Sequence, residues 1–196
     1  MPGNNSNFPL TLELNAPLEV ANWRPLVHWL LGIPHLMVAC SLSSLFSVFT
    51  IIAFFSILFT RKIPKGIFSA MVMIIRYNWR IASYVTFARE DYPPFHYTLQ
   101  TADTGDDQAA LSITEPEEFN QWLPLVKWFL AIPHYVVLSI LGIGLFFSLI
   151  VSFFTILFTG KYPEALRDYF INVYSYSVRV NMYTGLLTDE YPPFSL

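Results

Sequence analysis

The chain is short of charge and nearly without cysteine, and each shortage excludes something. Lys, Arg, Asp and Glu make up 13% of its 196 residues, about half the share usual in a soluble domain. Hydrophobic residues reach 54%, with a mean hydropathy of +0.46. No charge occurs from Leu36 to Thr60 or from Tyr135 to Gly160, and each stretch exceeds the roughly 20 residues that a helix needs to cross a bilayer core. A water-soluble interior of this length is the less economical reading. The single cysteine, Cys40, lies inside the first stretch. It has no partner for an internal disulfide and reads as a small packing residue. Net charge is -3, and the 11 Lys and Arg form no contiguous basic face, so nucleic acid is not a partner. The sequence also lacks a zinc-ligand cluster, a phosphate-cradling glycine loop and a nucleophile elbow. No catalytic residue, metal ligand set or cofactor is therefore assigned. The first 22 residues have neither the basic nor the apolar region of a cleaved signal peptide, so the Met1 end is expected to be retained.

What is present is a duplication. Trp23 in Trp-Arg-Pro-Leu-Val-His-Trp returns as Trp122 in Trp-Leu-Pro-Leu-Val-Lys-Trp, an offset of 99 (122 − 23). At the same offset Ile33-Pro34-His35 returns as Ile132-Pro133-His134, and Tyr92-Pro93-Pro94-Phe95 as Tyr191-Pro192-Pro193-Phe194. More than a third of the positions aligned this way are identical, several times what composition gives by chance. Four segments follow: an N-terminal tail over 1–22, a membrane repeat over 23–95, an acidic linker over 96–121 and a second repeat over 122–196.

Each repeat opens with Pro-Leu-Val-x-Trp-x-Leu-x-Ile-Pro-His. Pro25 or Pro124 suits a first helical turn, and Pro34 or Pro133 is expected to interrupt the helix soon after, leaving a short interfacial helix. Trp23, Trp29, Trp122 and Trp128 are expected interface anchors, as are Tyr92, Phe95, Tyr191 and Phe194. His35 and His134 read first as histidines with satisfied hydrogen bonds at the interface, and second as ligands. The long apolar stretch comes next. Small residues recur along it every fourth position, at Ala39, Ser43 and Ser47 in one copy and Gly144, Ser148 and Ser152 in the other, and such stripes can seat another helix. Basic turns at Arg61-Lys62-Ile63-Pro64-Lys65 and Gly160-Lys161-Tyr162-Pro163 stop it.

Residues 66–89 and 165–188 then read as second helices. Tyr77, Arg80 and Tyr84 recur as Tyr176, Arg179 and Tyr183, spaced to share one helical face. They are the candidates for binding a headgroup or a partner. Arg76 and Arg80 near the helix centre would cost about 5 to 7 kcal/mol at a bilayer midplane. An amphipathic helix lying in the interface avoids this, and a crossing helix buried against protein is the alternative. One span per repeat would insert the copies in opposite senses, and two would make them parallel; a break near Ser43-Ser44 and Gly142-Ile143-Gly144 is one way to obtain two. Charge does not decide between them. The linker, with Asp103, Asp106, Asp107, Glu115, Glu117 and Glu118, reads as acidic and solvated, without the spacing of a calcium loop. Glu90-Asp91 and Asp189-Glu190 are free to pair with arginines of their own repeat.

The run Ile-Pro-His, Phe-x-Ile-Leu-Phe-Thr-Gly-Lys-Tyr-Pro, an amphipathic helix and Leu-Leu-Thr-Asp-Glu-Tyr-Pro-Pro-Phe resembles bacterial membrane proteins of the domain of unknown function 4389 family. Both copies share the resemblance. The second is nearer, because the first has Arg61 in place of Gly160 and Ala88-Arg89-Glu90 in place of Leu187-Thr188-Asp189. The resemblance implies an all-α integral membrane protein, multi-pass in a bacterial cytoplasmic membrane, and supplies no catalytic residues. The expected function is a non-catalytic accessory or scaffold subunit packing against a larger membrane complex and lipid. The alternative is binding or transport of an anionic lipid or amphiphile through Arg80 and Arg179. A haem or metal carrier using His35 and His134 is a third reading.

Overall fold

The computed structural model describes residues 8–100, 103, 105, 106 and 108–196. Most of the tail's first residues, and Asp107 of the acidic linker, lie outside this set. Five helices and two strands follow in the order β1 (Leu10–Leu14), α1 (Arg24–Thr60), α2 (Lys65–Val85), β2 (Ala109–Ile113), α3 (Lys127–Leu130), α4 (Ile132–Thr159) and α5 (Glu164–Thr184), with a short 3-10 turn at Leu123–Leu125. The strands correct the all-helical expectation. Both come from segments read as tail and linker, and they pair antiparallel with Leu12 opposite Leu111.

Leu12 and Leu111 are themselves 99 residues apart, so the local dyad of the strand pair is also the axis relating the two repeats. Other contacts obey it. Val20 N–H donates to the Gly160 carbonyl (3.0 Å) and Phe119 N–H to that of Arg61 (2.9 Å). Asn22 Nδ2 donates to Leu157 (3.1 Å) as Gln121 Nε2 does to Leu58 (2.5 Å). Each repeat thus grips the end of the other's long helix. The strands are also exchanged: β2, which precedes the second repeat, packs on α2 of the first, while β1 packs on α5 of the second.

Along the dyad the layers run from the sheet, through α2 and α5, to α1 and α4. Trp79 of α2 stacks on Phe170 of α5 (5.8 Å between centroids) and donates its indole N–H to the Glu13 carbonyl of β1 (3.3 Å). The helix expected to lie amphipathically in the interface is instead the core. Ile74 through Tyr77 and Trp79 through Ile81 are all buried, which leaves α2 no apolar stripe for lipid. Strand, helix and neighbouring repeat cover it on different sides.

The long helices carry the exposed apolar surface. Ile51, Phe55 and Phe59 of α1, and Ile143, Phe147 and Phe158 of α4, are among many open side chains. Both helices are long and apolar enough to cross a membrane. Eight of their hydroxyls are satisfied within the helix: Ser41, Ser44, Ser47, Thr50 and Thr60 of α1 donate to the carbonyl four residues back, as do Ser139, Thr155 and Thr159 of α4. Such self-satisfied groups add little cost in lipid.

α1 also arches. His35 meets Tyr77 of α2 at 2.7 Å. From there α1 runs on for roughly 25 residues, about 37 Å, whereas α2 reaches back to its start over only about 18 Å. The turn between them cannot absorb the difference, because the Lys62 carbonyl accepts from both Ser56 (2.7 Å) and Thr60 (3.2 Å) and closes it tightly. The middle of α1 therefore bows away from α2, and between His35 and Ala53 it has no buried residue. In α4 the gap runs from His134 to Ser148.

Three local expectations are corrected. Pro34 does not interrupt α1, which runs through it; in the second repeat the break falls at Ala131, and Pro133 sits in the first turn of α4, where its missing N–H is harmless. Both long helices also continue past Ser43-Ser44 and Gly142-Ile143-Gly144. Of the two small-residue stripes, Gly144, Ser148 and Ser152 seat α5, whose Tyr169 hydroxyl donates to the Leu141 carbonyl (3.0 Å). Ser43 and Ser47 face outward.

Candidate functional site

The motifs repeated in the sequence meet in space, once per copy. His35 Nδ1 shares a 2.7 Å hydrogen bond with the Tyr77 hydroxyl. Its ring stacks on Phe95 (3.9 Å) and leans on Tyr92 (4.6 Å). In the second copy His134 bonds Tyr176 (2.6 Å), stacks on Phe194 (4.2 Å) and leans on Tyr191 (4.7 Å). Ile-Pro-His and Tyr-Pro-Pro-Phe are thus the two halves of one lock. The prolines fix an extended strap that lies back across α1 or α4, and its aromatics close over the imidazole. Both histidines are fully buried. The outer faces of Tyr92, Phe95, Tyr191 and Phe194 stay open, as do Trp23, Trp29, Trp122 and Trp128. Trp29 and Trp128 donate their indole N–H to the Leu26 (2.7 Å) and Leu125 (2.8 Å) carbonyls.

For metal or haem the arrangement offers little. Each imidazole has one nitrogen on tyrosine and one ring face on phenylalanine, and among the described residues no group of three or more His, Cys, Asp and Glu could hold an ion. His134 Nε2 is nonetheless buried without a partner in the described structure.

The second helix is pinned by a half-buried acid whose base differs between copies. Glu90 accepts from Arg24 Nε (3.1 Å) and from the Ala21 N–H (3.0 Å). The matching Asp189 accepts from Lys127 Nζ (2.6 Å), which also reaches the Thr188 carbonyl (2.8 Å). Arg24 corresponds to Leu123 and Lys127 to His28, so the acid is kept while its base moves by one helical turn. His28 keeps the place of Lys127 over the helix end, stacked on Tyr84 (4.3 Å). Burial pushes the Lys127 ammonium pKa down, against the pull of Asp189.

The arginines expected to face a ligand are not equivalent. Arg80 is 1% exposed, and its guanidinium pairs with Asp103 and lies 3.8 Å from Asp106. Arg76 binds Asp103 (3.2 Å) and the Leu111 carbonyl (3.0 Å), and Arg89 binds Asp106. These aspartates belong to the segment read as solvated linker, yet their side chains are 2% and 4% exposed. Arg80 is therefore taken by the chain's own carboxylates. Arg179 meets no carboxylate among the described residues: Nη2 donates to the Ser195 carbonyl (2.5 Å), Nε is buried without a partner, and the guanidinium lies over Tyr176 (5.6 Å). Burial lowers its pKa, as it does that of Arg76, where Asp103 opposes the shift.

Burial also raises the pKa of Tyr77, Tyr84, Tyr176 and Tyr183. A tyrosine that holds its proton more tightly when folded stabilises the fold below about pH 10 and loses that contribution as the pH climbs past it. Absorbance at 295 nm during an alkaline titration should show six of the 11 tyrosines, these four with Tyr162 and Tyr174, whose pKa burial also raises, ionising only as the protein unfolds. Ionisation of all of them near pH 10 in the folded protein would contradict this burial.

Sequence reasoning placed the histidines, tyrosines and Tyr-Pro-Pro-Phe segments in separate roles and missed Asp103, Asp106, Lys127 and both strands. A faint signal was there: at the offset of 99, Leu12, Pro17 and Glu19 recur as Leu111, Pro116 and Glu118, which carries the repeat back through the strands.

Comparison with known proteins agrees with the duplication. A family model described as "Domain of unknown function (DUF4389)" matches residues 22–96 and again residues 124–195. No curated protein and no solved structure matches the chain.

Proposed function

Since the chain belongs to the domain of unknown function 4389 family, with two tandem copies, we propose that it is a non-catalytic membrane module, an accessory or scaffold subunit of a larger complex. The observation that carries this reading is the division of labour among its side chains. The repeated histidines and helix tyrosines are spent on internal locks, while the arches of α1 and α4 turn uncharged apolar faces outward. Surface of that kind is covered by lipid or by another membrane protein.

The geometry also favours one mode of insertion. Both ends of each arch are tied to one shorter helix, and the dyad has the sheet at one pole and the arches at the other. Both repeats then enter the bilayer in the same sense, with the arches dipping into it from one side instead of crossing. Cys40 lies deep, and tryptophans near the arch ends sit at headgroup level.

Single cysteines at Asn22, Lys62, Gln121 and Lys161, in a Cys40→Ser background, test this in sealed vesicles. All four should react with a membrane-impermeant maleimide from the same face, whereas wild-type Cys40 should react from neither. Labelling of Asn22→Cys and Lys62→Cys from opposite faces would establish a crossing helix. Purification from native membranes in mild detergent tests the accessory role, with a stoichiometric membrane-protein partner as the expected result. A partner-free chain with a solute activity of its own would overturn it.

A further inference from the structure

The first copy contains a bound carboxylate, and the second reproduces much of its setting without one. Asp103 is held in the first copy by three donors: Arg80 Nη2, Arg76 Nε (3.2 Å) and the N–H of Leu111 (3.1 Å). At the offset of 99 these correspond to Arg179, Ser175 and Leu12. All three line one open cavity of about 540 Å³ between β1 and α5.

The Leu12 N–H faces this cavity because of strand register. Asn15 N–H donates to the Gln108 carbonyl (2.7 Å) and Thr114 N–H to that of Pro9 (3.1 Å). Hydrogen-bonded pairs therefore fall at odd positions of β1, and the Leu12–Leu111 pair between them turns its amides outward, one to each side of the ladder. Leu111 spends its N–H on Asp103, while that of Leu12 points toward α5. The outward Leu14 carbonyl confirms the alternation, since Arg167 of α5 donates to it (3.2 Å). The second copy thus offers a guanidinium with a buried, unpartnered Nε, a hydroxyl and a strand-edge amide where the first holds a carboxylate.

The rest of the cavity narrows the ligand. Leu10, Leu14, Leu18 and Ile171 supply apolar wall, and Glu13, Glu164 and Asp168 also line it. Three acids against two arginines disfavour a doubly charged group, and the leucines favour an apolar body. We propose that the cavity between β1 and α5 binds an apolar monocarboxylic acid, its carboxylate on Arg179 and the Leu12 N–H and its chain along the β1 leucines. The site depends neither on the mode of membrane insertion nor on a partner protein.

The test uses octanoate labelled with carbon-13 at the carboxyl, titrated below micelle-forming concentration into the intact chain in non-ionic detergent. A saturable shift of the carboxyl resonance is expected, weakened at least tenfold by Arg179→Met and unchanged by Lys62→Met, which removes an exposed cation elsewhere. Octanol should not compete, and octyl phosphate should compete no better than octanoate itself. A shift indifferent to Arg179→Met would overturn the site, and tighter binding of octyl phosphate would overturn the monocarboxylate assignment. Photolabelling of the unaltered protein with a diazirine-bearing octanoic acid needs no variant to fold. Label on β1 or α5 supports the site, and label confined to α1 and α4 means partitioning along the arches and removes it.

Discussion

Arg80→Met lowers the unfolding free energy by about 2 to 3 kcal/mol, the cost of removing one of the two arginines that hold the buried Asp103 carboxylate. Asp103 and Asp106 would remain near each other under the sheet, with only Arg76 and Arg89 to answer them. The same substitution at Arg179 should cost about 1 kcal/mol, because that side chain gives up one hydrogen bond to a carbonyl and strands no carboxylate. Two residues at matching places in a duplicated chain thus differ in importance, and denaturant titration of the pair in one detergent measures the ratio. Asp103→Leu should cost more than Arg80→Met, since it leaves two buried arginines, Arg76 and Arg80, and the Leu111 N–H without the carboxylate that accepts from them. Equal losses at the two arginines would mean that the aspartates do not hold the helix as the geometry requires.

His35→Ala should lower stability by about 3 kcal/mol, and His134→Ala by a similar amount. Each removes a fully buried ring, opening a void beside the stacked phenylalanine, and leaves a tyrosine hydroxyl without its partner. Tyr77→Phe is the milder companion, costing about 1 kcal/mol, because the ring stays and only the hydrogen bond goes. The Tyr-Pro-Pro-Phe strap should also loosen in both alanine variants, seen as faster chymotryptic cleavage after Phe95 and Phe194. A metal or haem role predicts another pattern: a visible absorption band lost with either histidine and little change in stability.

The arrangement of these locks explains how much could be seen in advance. Apolar stretches, a duplication and the paired motifs are properties of the chain in one dimension, and lipid-length uncharged runs are legible wherever they occur. The sequence marks Arg76 and Arg80 as costly in lipid and points to an interfacial helix as the remedy. The structure instead brings a carboxylate, Asp103, from 23 and 27 residues away (103 − 80; 103 − 76) to meet them. No periodicity announces a partner brought in by a turn of that length. β1 and β2 were missed for a related reason, since five-residue strands in polar segments carry too few alternations to stand out.

By itself, then, the sequence determined that there are two like units, that each holds one helix of membrane length, and that the repeated histidines and aromatics matter to both. Tertiary structure decided what those residues are for. It folded the straps onto the histidines, placed the arginine helix at the centre and made the copies exchange strands about a common dyad. The physical reason is that burial and hydrophobic length add up residue by residue along a chain, whereas charge pairing and strand exchange depend on which distant segments the fold brings within about 3 Å of each other.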